Sequence, residues 1–242
     1  MTTPLVSIII PFYCDPYVPI AIQSALDQTY PNKEIVIVSD GSYQYNELLI
    51  PYLANNPNVY LFEKPNGGTA SALNAGIRVA SGEYVAWLSS DDLFYPHKLE
   101  RQLTEMIAMQ KLISYSDYDA IDGNGILTHH RVTPKYPDEL SFYRAFSQYC
   151  PINGCTIVAS RQMLLESGLF DESLPYTHDY DLWFRIAASG IKFHYVDEPL
   201  IQYRIHAAMG SMRHHQAIQH EVDYTKQRRW PQLEGYIRQL GG

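Results

Sequence analysis

The sequence predicts an α/β fold with a central, mostly parallel sheet. Short runs rich in Ile, Val and aromatic residues alternate with segments whose apolar residues recur at helical spacing. Acidic clusters directly follow two of these runs, and an open α/β sheet binds its ligands beyond the carboxyl ends of its strands.

The elements follow in order. Leu5–Ile10, Glu34–Val38, Val59–Phe62 and Tyr84–Leu88 read as buried strands. Between them, Ile22, Ala25 and Leu26 mark one helix. Leu73, Ile77 and Ala80 mark a second that Gly82 stops, and Leu99, Leu103, Met106 and Ile107 mark a third. In the second half Ile113–Tyr115, Thr156–Ala159, Phe193–Val196 and Leu200–Tyr203 read as strands. Leu182, Ile186 and Ala187 mark a helix ended by Gly190. Residues 133–153 hold three prolines and several aromatics, and read as a loop or lid. Residues 204–242 carry six of the 18 Lys and Arg and predict a polar, helical tail. The acidic clusters are Ser39-Asp40-Gly41-Ser42 and Ser90-Asp91-Asp92.

Composition removes several function classes. With 242 residues, 46% of them hydrophobic, the chain can bury a substantial core. A net charge of −8 argues against a nucleic-acid partner, which wants a basic face. It leaves room for an anionic nucleotide, because one bound cation reverses a local field. Cys14, Cys150 and Cys155 are too few and too scattered for a disulfide framework, and no CxxC pair suggests structural zinc. They read as reduced thiols of a cytoplasmic protein. No apolar stretch approaches the ~20 residues that span a bilayer, and Pro11 cuts short the first apolar run. A soluble or peripheral protein is expected. No GxGxxG follows the first strand, which argues against a dinucleotide-binding oxidoreductase.

The blocks Val6-Ser7-Ile8-Ile9-Ile10-Pro11-Phe12-Tyr13, Ala25-Leu26-Asp27-Gln28-Thr29-Tyr30-Pro31 and Glu34-Ile35-Val36-Ile37-Val38-Ser39-Asp40-Gly41-Ser42 open a longer pattern. It continues through Asn66-Gly67-Gly68, Asn74-Ala75-Gly76, Ser81-Gly82-Glu83-Tyr84 and Ser90-Asp91-Asp92. It ends with Gly168-Leu169-Phe170-Asp171-Glu172, His178-Asp179-Tyr180-Asp181-Leu182-Trp183 and Tyr203-Arg204-Ile205-His206. In order and spacing this resembles the family 2 glycosyltransferases. The resemblance implies the GT-A fold, one α/β domain over residues 1–206, with 207–242 as a C-terminal helical extension. It also implies an inverting transfer of a sugar from a nucleotide-diphosphate donor to an acceptor hydroxyl.

The resemblance assigns roles residue by residue. Pro11, Tyr13, Asp40, Gly67, Gly68, Asn74 and Asp91 are expected to bind the nucleotide-sugar. Tyr13 can stack on the base, and Asp40 can accept from a ring N–H such as that of uracil, which favours a UDP-sugar. Taken alone, Tyr13 is an aromatic after a strand and Asp40 a turn residue before Gly41. Asn66-Gly67-Gly68 allows close backbone approach to a ligand. Asp91, Asp92 and His206 are expected to hold Mg²⁺ or Mn²⁺, with Asp92 alternatively capping the helix that follows Pro96. Asp179 is expected to be the catalytic base, and Asp181 an ordinary acid of a helix start.

The chain departs from the family pattern at three places: Leu73 stands where many relatives carry Arg, Ser89 where an Asp is usual, and His178 where Glu is common. These departures are the support for an alternative, a catalytically silent nucleotide- or glycan-binding module on the same scaffold. The near-match Gln227-Arg228-Arg229-Trp230 is one residue short of a motif of processive polysaccharide synthases and reads as coincidence. The family commonly builds bacterial surface polysaccharides. A glycan or lipid-linked glycan acceptor, met at the cytoplasmic face of a membrane through peripheral contact, is what that implies.

Overall fold

A computed structural model describes residues 3–207, 209 and 213–241. The strands are β1 (Val6–Phe12), β2 (Lys33–Asp40), β3 (Val59–Lys64), β4 (Tyr84–Trp87), β5 (Leu93–Phe94), β6 (Ile113–Ile121), β7 (Leu127–His129), β8 (Val158–Ser160) and β9 (His194–Arg204). They form one sheet in the order β3-β2-β1-β4-β8-β6-β9-β5, with β7 paired to β6. Strands β1 to β4 run parallel, β8 runs antiparallel to both β4 and β6, and β9 runs parallel to β6. The expected mixed, mostly parallel sheet is what forms.

Its centre is buried on both faces. In β1 every residue but Pro11 is buried, and in β2 every residue but Lys33. Continuous apolar runs like these belong to strands covered on both sides. The helices are α1 (Val18–Leu26), α2 (Ile50–Asn55), α3 (Gly68–Val79), α4 (Lys98–Ala108), α5 (Glu139–Ala145), α6 (Arg161–Glu166), α7 (His178–Ala188) and α8 (His215–Gln239). Helix α3 packs on β1 and β2, α4 on β6 and β9, and α7 on α8.

Three expectations are corrected. Residues 133–153 are not a lid: α5 lies within them, and its Phe142 and Tyr143, with Phe146 just beyond, are buried in the core. The prolines only bracket this helix. The tail is helical as expected, yet it is no plain solvated helix. Leu233 and Ile237 of α8 belong to the hydrophobic core, and Glu221 and Thr225 are also buried. The two expected strands Phe193–Val196 and Leu200–Tyr203 are one strand, β9, whose register against β6 shifts around Asp117.

Candidate functional site

The carboxyl ends of β1, β2 and β4 open into a cleft of about 700 Å³. Its wall includes Pro11 near the end of β1 and Tyr13 just after it, Asp40 at the end of β2, Gly68 at the start of α3, Asp91 after β4 and His206 after β9. Six of the residues expected from the sequence are therefore brought together, from five separate stretches of chain.

The turn after β2 explains how. Gly41 has φ +69, and a Cβ there would lie 2.7 Å from the backbone nitrogen of Asn66. Only glycine lets the two loops approach so closely. Asp40, 3% exposed, then reaches the N-terminus of α3. Its Oδ1 accepts from the Gly67 N–H at 3.0 Å and from the Lys64 ammonium, and its Oδ2 accepts from the Gly68 N–H at 2.7 Å. A carboxylate has about four acceptor sites, so one on Oδ2 stays free for a further N–H. Tyr13, 49% exposed, lies edge-to-face with Tyr43 at 6.1 Å between ring centroids. Half of the ring's surface is open to solvent and to a stacking partner. Gly67 serves through its amide on Asp40 and does not itself line the cleft.

Opposite stands the acid–imidazole pair. The Asp91 Oδ2 and His206 Nε2 are 2.9 Å apart. Arg204 braces them: its Nε donates to the Asp91 carbonyl at 2.8 Å, while its guanidinium also donates to the carbonyls of Asp122 and Gly123 and covers the Tyr17 ring. Asp15, which sequence reasoning missed, shares this wall. Its Oδ2 accepts from the Ser90 hydroxyl at 2.6 Å and its Oδ1 from the Tyr17 N–H at 2.8 Å. Burial pushes its carboxyl up against the hydrogen bonds from Ser90 and Tyr17, and the Asp91 charge adds to the rise. The available signal was its place just beyond the end of β1. Lys64, Arg204 and Arg213 of the cleft region were given no role either: Arg204 stands inside the Tyr203-Arg204-Ile205-His206 block, whereas Lys64 and Arg213 belong to no motif.

Asp92 does not join the pair. It is 1% exposed, its Oδ1 accepts the Arg204 N–H at 2.8 Å, and its Oδ2 has no partner among the described residues. Burial and the neighbouring Asp91 charge hold its carboxyl well above the usual range. It ties β9 to the turn after β4 and neither faces the cleft nor caps α4, whose N-cap is His97. Asn74 is likewise structural. It is buried, donates to the Phe170 carbonyl at 2.9 Å and to Glu172 Oε1 at 2.8 Å, and accepts the Phe170 N–H at 3.0 Å. Its amide is spent on joining α3 to the loop before α7, away from the cleft.

Can the cleft hold a divalent cation? Among the described residues no group of three or more His, Cys, Asp and Glu side chains converges on one point. Asp91 and His206 nevertheless offer one hard carboxylate oxygen and one imidazole nitrogen, a set that Mn²⁺ accepts and that Mg²⁺ completes with phosphate oxygens and water. The two residues fit a divalent ion whose remaining ligands come from outside the chain.

Asp179 lies outside the cleft lining, in the first turn of α7. Its neighbour His178 is 5% exposed and packs on the Trp87 ring at 5.7 Å and the Phe170 ring at 5.4 Å. Trp87 ends β4, and Asp91 follows in the next turn, so the residue beside Asp179 packs on the strand that leads to Asp91. The Tyr180 N–H donates to its Oδ1 at 2.8 Å. Burial raises its carboxyl, opposed by His178 and by the Tyr180 amide. Burial lowers the His178 imidazole. Asp181 is an interior ion-pair acid, 1% exposed, accepting from Arg185 Nε and Arg229 Nε at 2.7 Å each. Arg229 of the near-motif is thus a structural partner.

The sheet and the cleft at its carboxyl edge have the layout of a GT-A glycosyltransferase, and the comparisons agree. The sequence profile of glycosyl transferase family 2 matches residues 7–167, and the chain belongs to that family. An uncharacterized glycosyltransferase of Rickettsia typhi is 42% identical over 85% of this chain and 65% of its own length. An Escherichia coli UDP-Glc:alpha-D-GlcNAc-diphosphoundecaprenol beta-1,3-glucosyltransferase is 32% identical over 84% of this chain and 78% of its own. Among solved structures, Staphylococcus aureus TarS in complex with UDP-GlcNAc shares the fold with a TM-score of 0.70 at 18% identity, over 84% of this chain and 59% of that one. The chain spans about two thirds or less of the Rickettsia relatives it matches. Among the described residues no helix is long and apolar enough to cross a membrane.

Proposed function

We propose that this chain transfers a sugar from a nucleotide-diphosphate donor, a UDP-sugar by preference, to an acceptor hydroxyl with inversion at the anomeric carbon. The observation that carries the reading is the convergence of Tyr13, Asp40, Gly68, Asp91 and His206 on one cleft at the strand ends. The E. coli relative carries UDP-Glc and a diphosphoundecaprenol-linked GlcNAc in its name, and TarS has been solved with UDP and with UDP-GlcNAc. These support a UDP-sugar donor and a lipid-linked glycan acceptor. Surface polysaccharide synthesis at the cytoplasmic face of a membrane is the setting that the family resemblance implies.

In this reading the Tyr13 ring stacks on the base, and the free acceptor site of Asp40 takes a base N–H. Asp91 and His206 would hold the divalent cation, Mn²⁺ or Mg²⁺. When bound, the ion would supply Lewis-acid stabilisation of the leaving group. Asp179 accepts the proton of the acceptor hydroxyl as that oxygen bonds to the anomeric carbon and the bond to the diphosphate oxygen breaks. A carboxyl whose proton affinity is raised by burial is a better base than a solvated one. A single displacement needs no covalent sugar–enzyme intermediate.

The test is calorimetry with UDP, with and without Mn²⁺, on the wild type and Asp40→Ala. The mutant is expected to lose on the order of 1.5–3 kcal/mol of binding, the worth of one hydrogen bond to a charged group. Equal UDP affinity in both proteins would remove Asp40 from the site, and no UDP binding by the wild type would remove the proposal.

A further inference from the structure

Helix α8 reaches the start of α7 with a buried carboxylate. The Glu221 Oε2 accepts from the Thr177 N–H at 2.9 Å, from the Thr177 hydroxyl at 2.9 Å and from the Tyr176 N–H at 3.1 Å. The first amides of a helix and those just ahead of it lack intrahelical partners, and an anion there is favoured by the helix dipole. A local N-cap side chain ordinarily accepts from the second or third helical amide. Here the N-cap Thr177 makes no such side-chain bond to α7. Its own N–H and hydroxyl donate to a carboxylate 44 positions away.

A second contact fixes the same turn from the same helix. Arg229 donates to Asp181, which Arg185 holds from the other side. Thr177 and Asp181 flank Asp179 by two residues on either side, so α8 pins the chain just before and just after that carboxylate. The groups facing Asp179 are His178 beside it, Glu221 of α8 and the Cys150 thiol from the segment after α5. The Glu221 charge works in one direction on both α7 residues, raising Asp179 and His178 alike.

We propose that Glu221 is a positioning residue for Asp179, and that docking of α8 through Glu221 and Arg229 holds the first turn of α7 in the orientation that turnover requires. The inference rests on Asp179 being the base. It concerns a segment beyond residue 167, where the family match ends.

The experiment uses the full chain with UDP-glucose as donor and water as acceptor, following UDP release, together with amide hydrogen exchange. For Glu221→Ala, kcat is expected to fall at least tenfold while KM for UDP-glucose stays within twofold. The Tyr176 and Thr177 amides should lose protection while the Phe184 amide, deep in α7, keeps it. Glu221→Gln still offers a carbonyl oxygen to Thr177, so it should restore most of the rate. Having lost the charge that opposes ionisation of Asp179, it should move the acid limb of the kcat profile to lower pH. Wild-type kcat in Glu221→Ala, unchanged protection at Tyr176 and Thr177, or an acid limb for Glu221→Gln that superimposes on wild type would each overturn the inference. General loss of protection through α7 in both variants would do so too, since Glu221 would then be a folding contact only. Asp179→Asn in the same assay separates the two claims: wild-type turnover there overturns the reading of Asp179 itself, whereas a dead Asp179→Asn beside a fully active Glu221→Ala overturns only the role of Glu221.

Discussion

Asp91 Oδ2 and His206 Nε2 meet at 2.9 Å although 115 residues separate them in the chain. The contact is a product of the sheet. Asp91 sits in the turn after β4 and His206 follows β9, and Arg204 ties the two by donating its Nε to the Asp91 carbonyl and its N–H to the Asp92 carboxylate.

This pairing makes metal-dependent donor binding the first expectation. Asp91→Ala should abolish the part of UDP affinity that Mn²⁺ adds, and His206→Ala should weaken it. Asp92→Ala should act mainly on stability, because its carboxylate holds the Arg204 backbone and not the cleft. Titrations with UDP in Mn²⁺ and in EDTA check this. Full activity in excess EDTA, or Mn²⁺-dependent binding intact in Asp91→Ala, contradicts the assignment.

Asp181 yields a prediction about the fold. It is 1% exposed and neutralises Arg185 and Arg229, whose side chains are 18% and 14% exposed. Removing one partner of a buried pair leaves uncompensated charge and costs about 3–5 kcal/mol. Asp181→Ala should lose stability of that order in urea unfolding, with α8 loosened from α7. A loss below about 1 kcal/mol would show the pair to be as dispensable as a surface one.

Lys98 yields a prediction in pH. It is fully buried, bonded to Gln102 and the Thr156 carbonyl and placed over the Phe94 ring, and burial lowers its ammonium from 10.5 to about 7. Above pH 7 the unfolded chain keeps this proton and the folded chain has released it. The unfolded state then binds more protons, so stability rises with pH, at roughly 1 kcal/mol per unit between pH 7 and 9. Lys98→Met removes that slope and is expected to gain most at pH 6. Urea unfolding at pH 6, 7 and 9 checks both statements, and a wild-type slope of zero contradicts them.

How much of this was legible in the sequence depends on which force placed each residue. β1, β2 and β4 were visible because a strand covered on both faces is a continuous apolar run, and Asp40 and Asp91 because they stand where such runs end. The two-residue β5 and the short β7 have no run to see. Helix α5 was hidden behind Pro134, Pro137 and Pro151, which bracket it without entering it. Asn74 and Asp92 carry the residue types of a binding site, yet their hydrogen bonds go to Phe170 and Arg204, and a local pattern holds no trace of such distant partners. The same is true of α8. Its polar face reads as a solvated helix, while Glu221, Leu233 and Ile237 are buried by contacts that only the tertiary fold creates.

The central claim is one-step displacement with Asp179 as the base, and the turnover of Asp179→Asn tests it most directly. Asparagine keeps the shape and the bond from the Tyr180 N–H and removes the basicity. The loss falls on the transition state, so UDP affinity should stay within twofold while kcat falls by about 10²–10⁴-fold. The folded protein should also become more stable at neutral pH. Burial raises the Asp179 carboxyl, so any stability it contributes is present below its unfolded value and lost as pH rises through the folded one. Turnover of Asp179→Asn at the wild-type rate, with UDP bound equally well, would contradict the account.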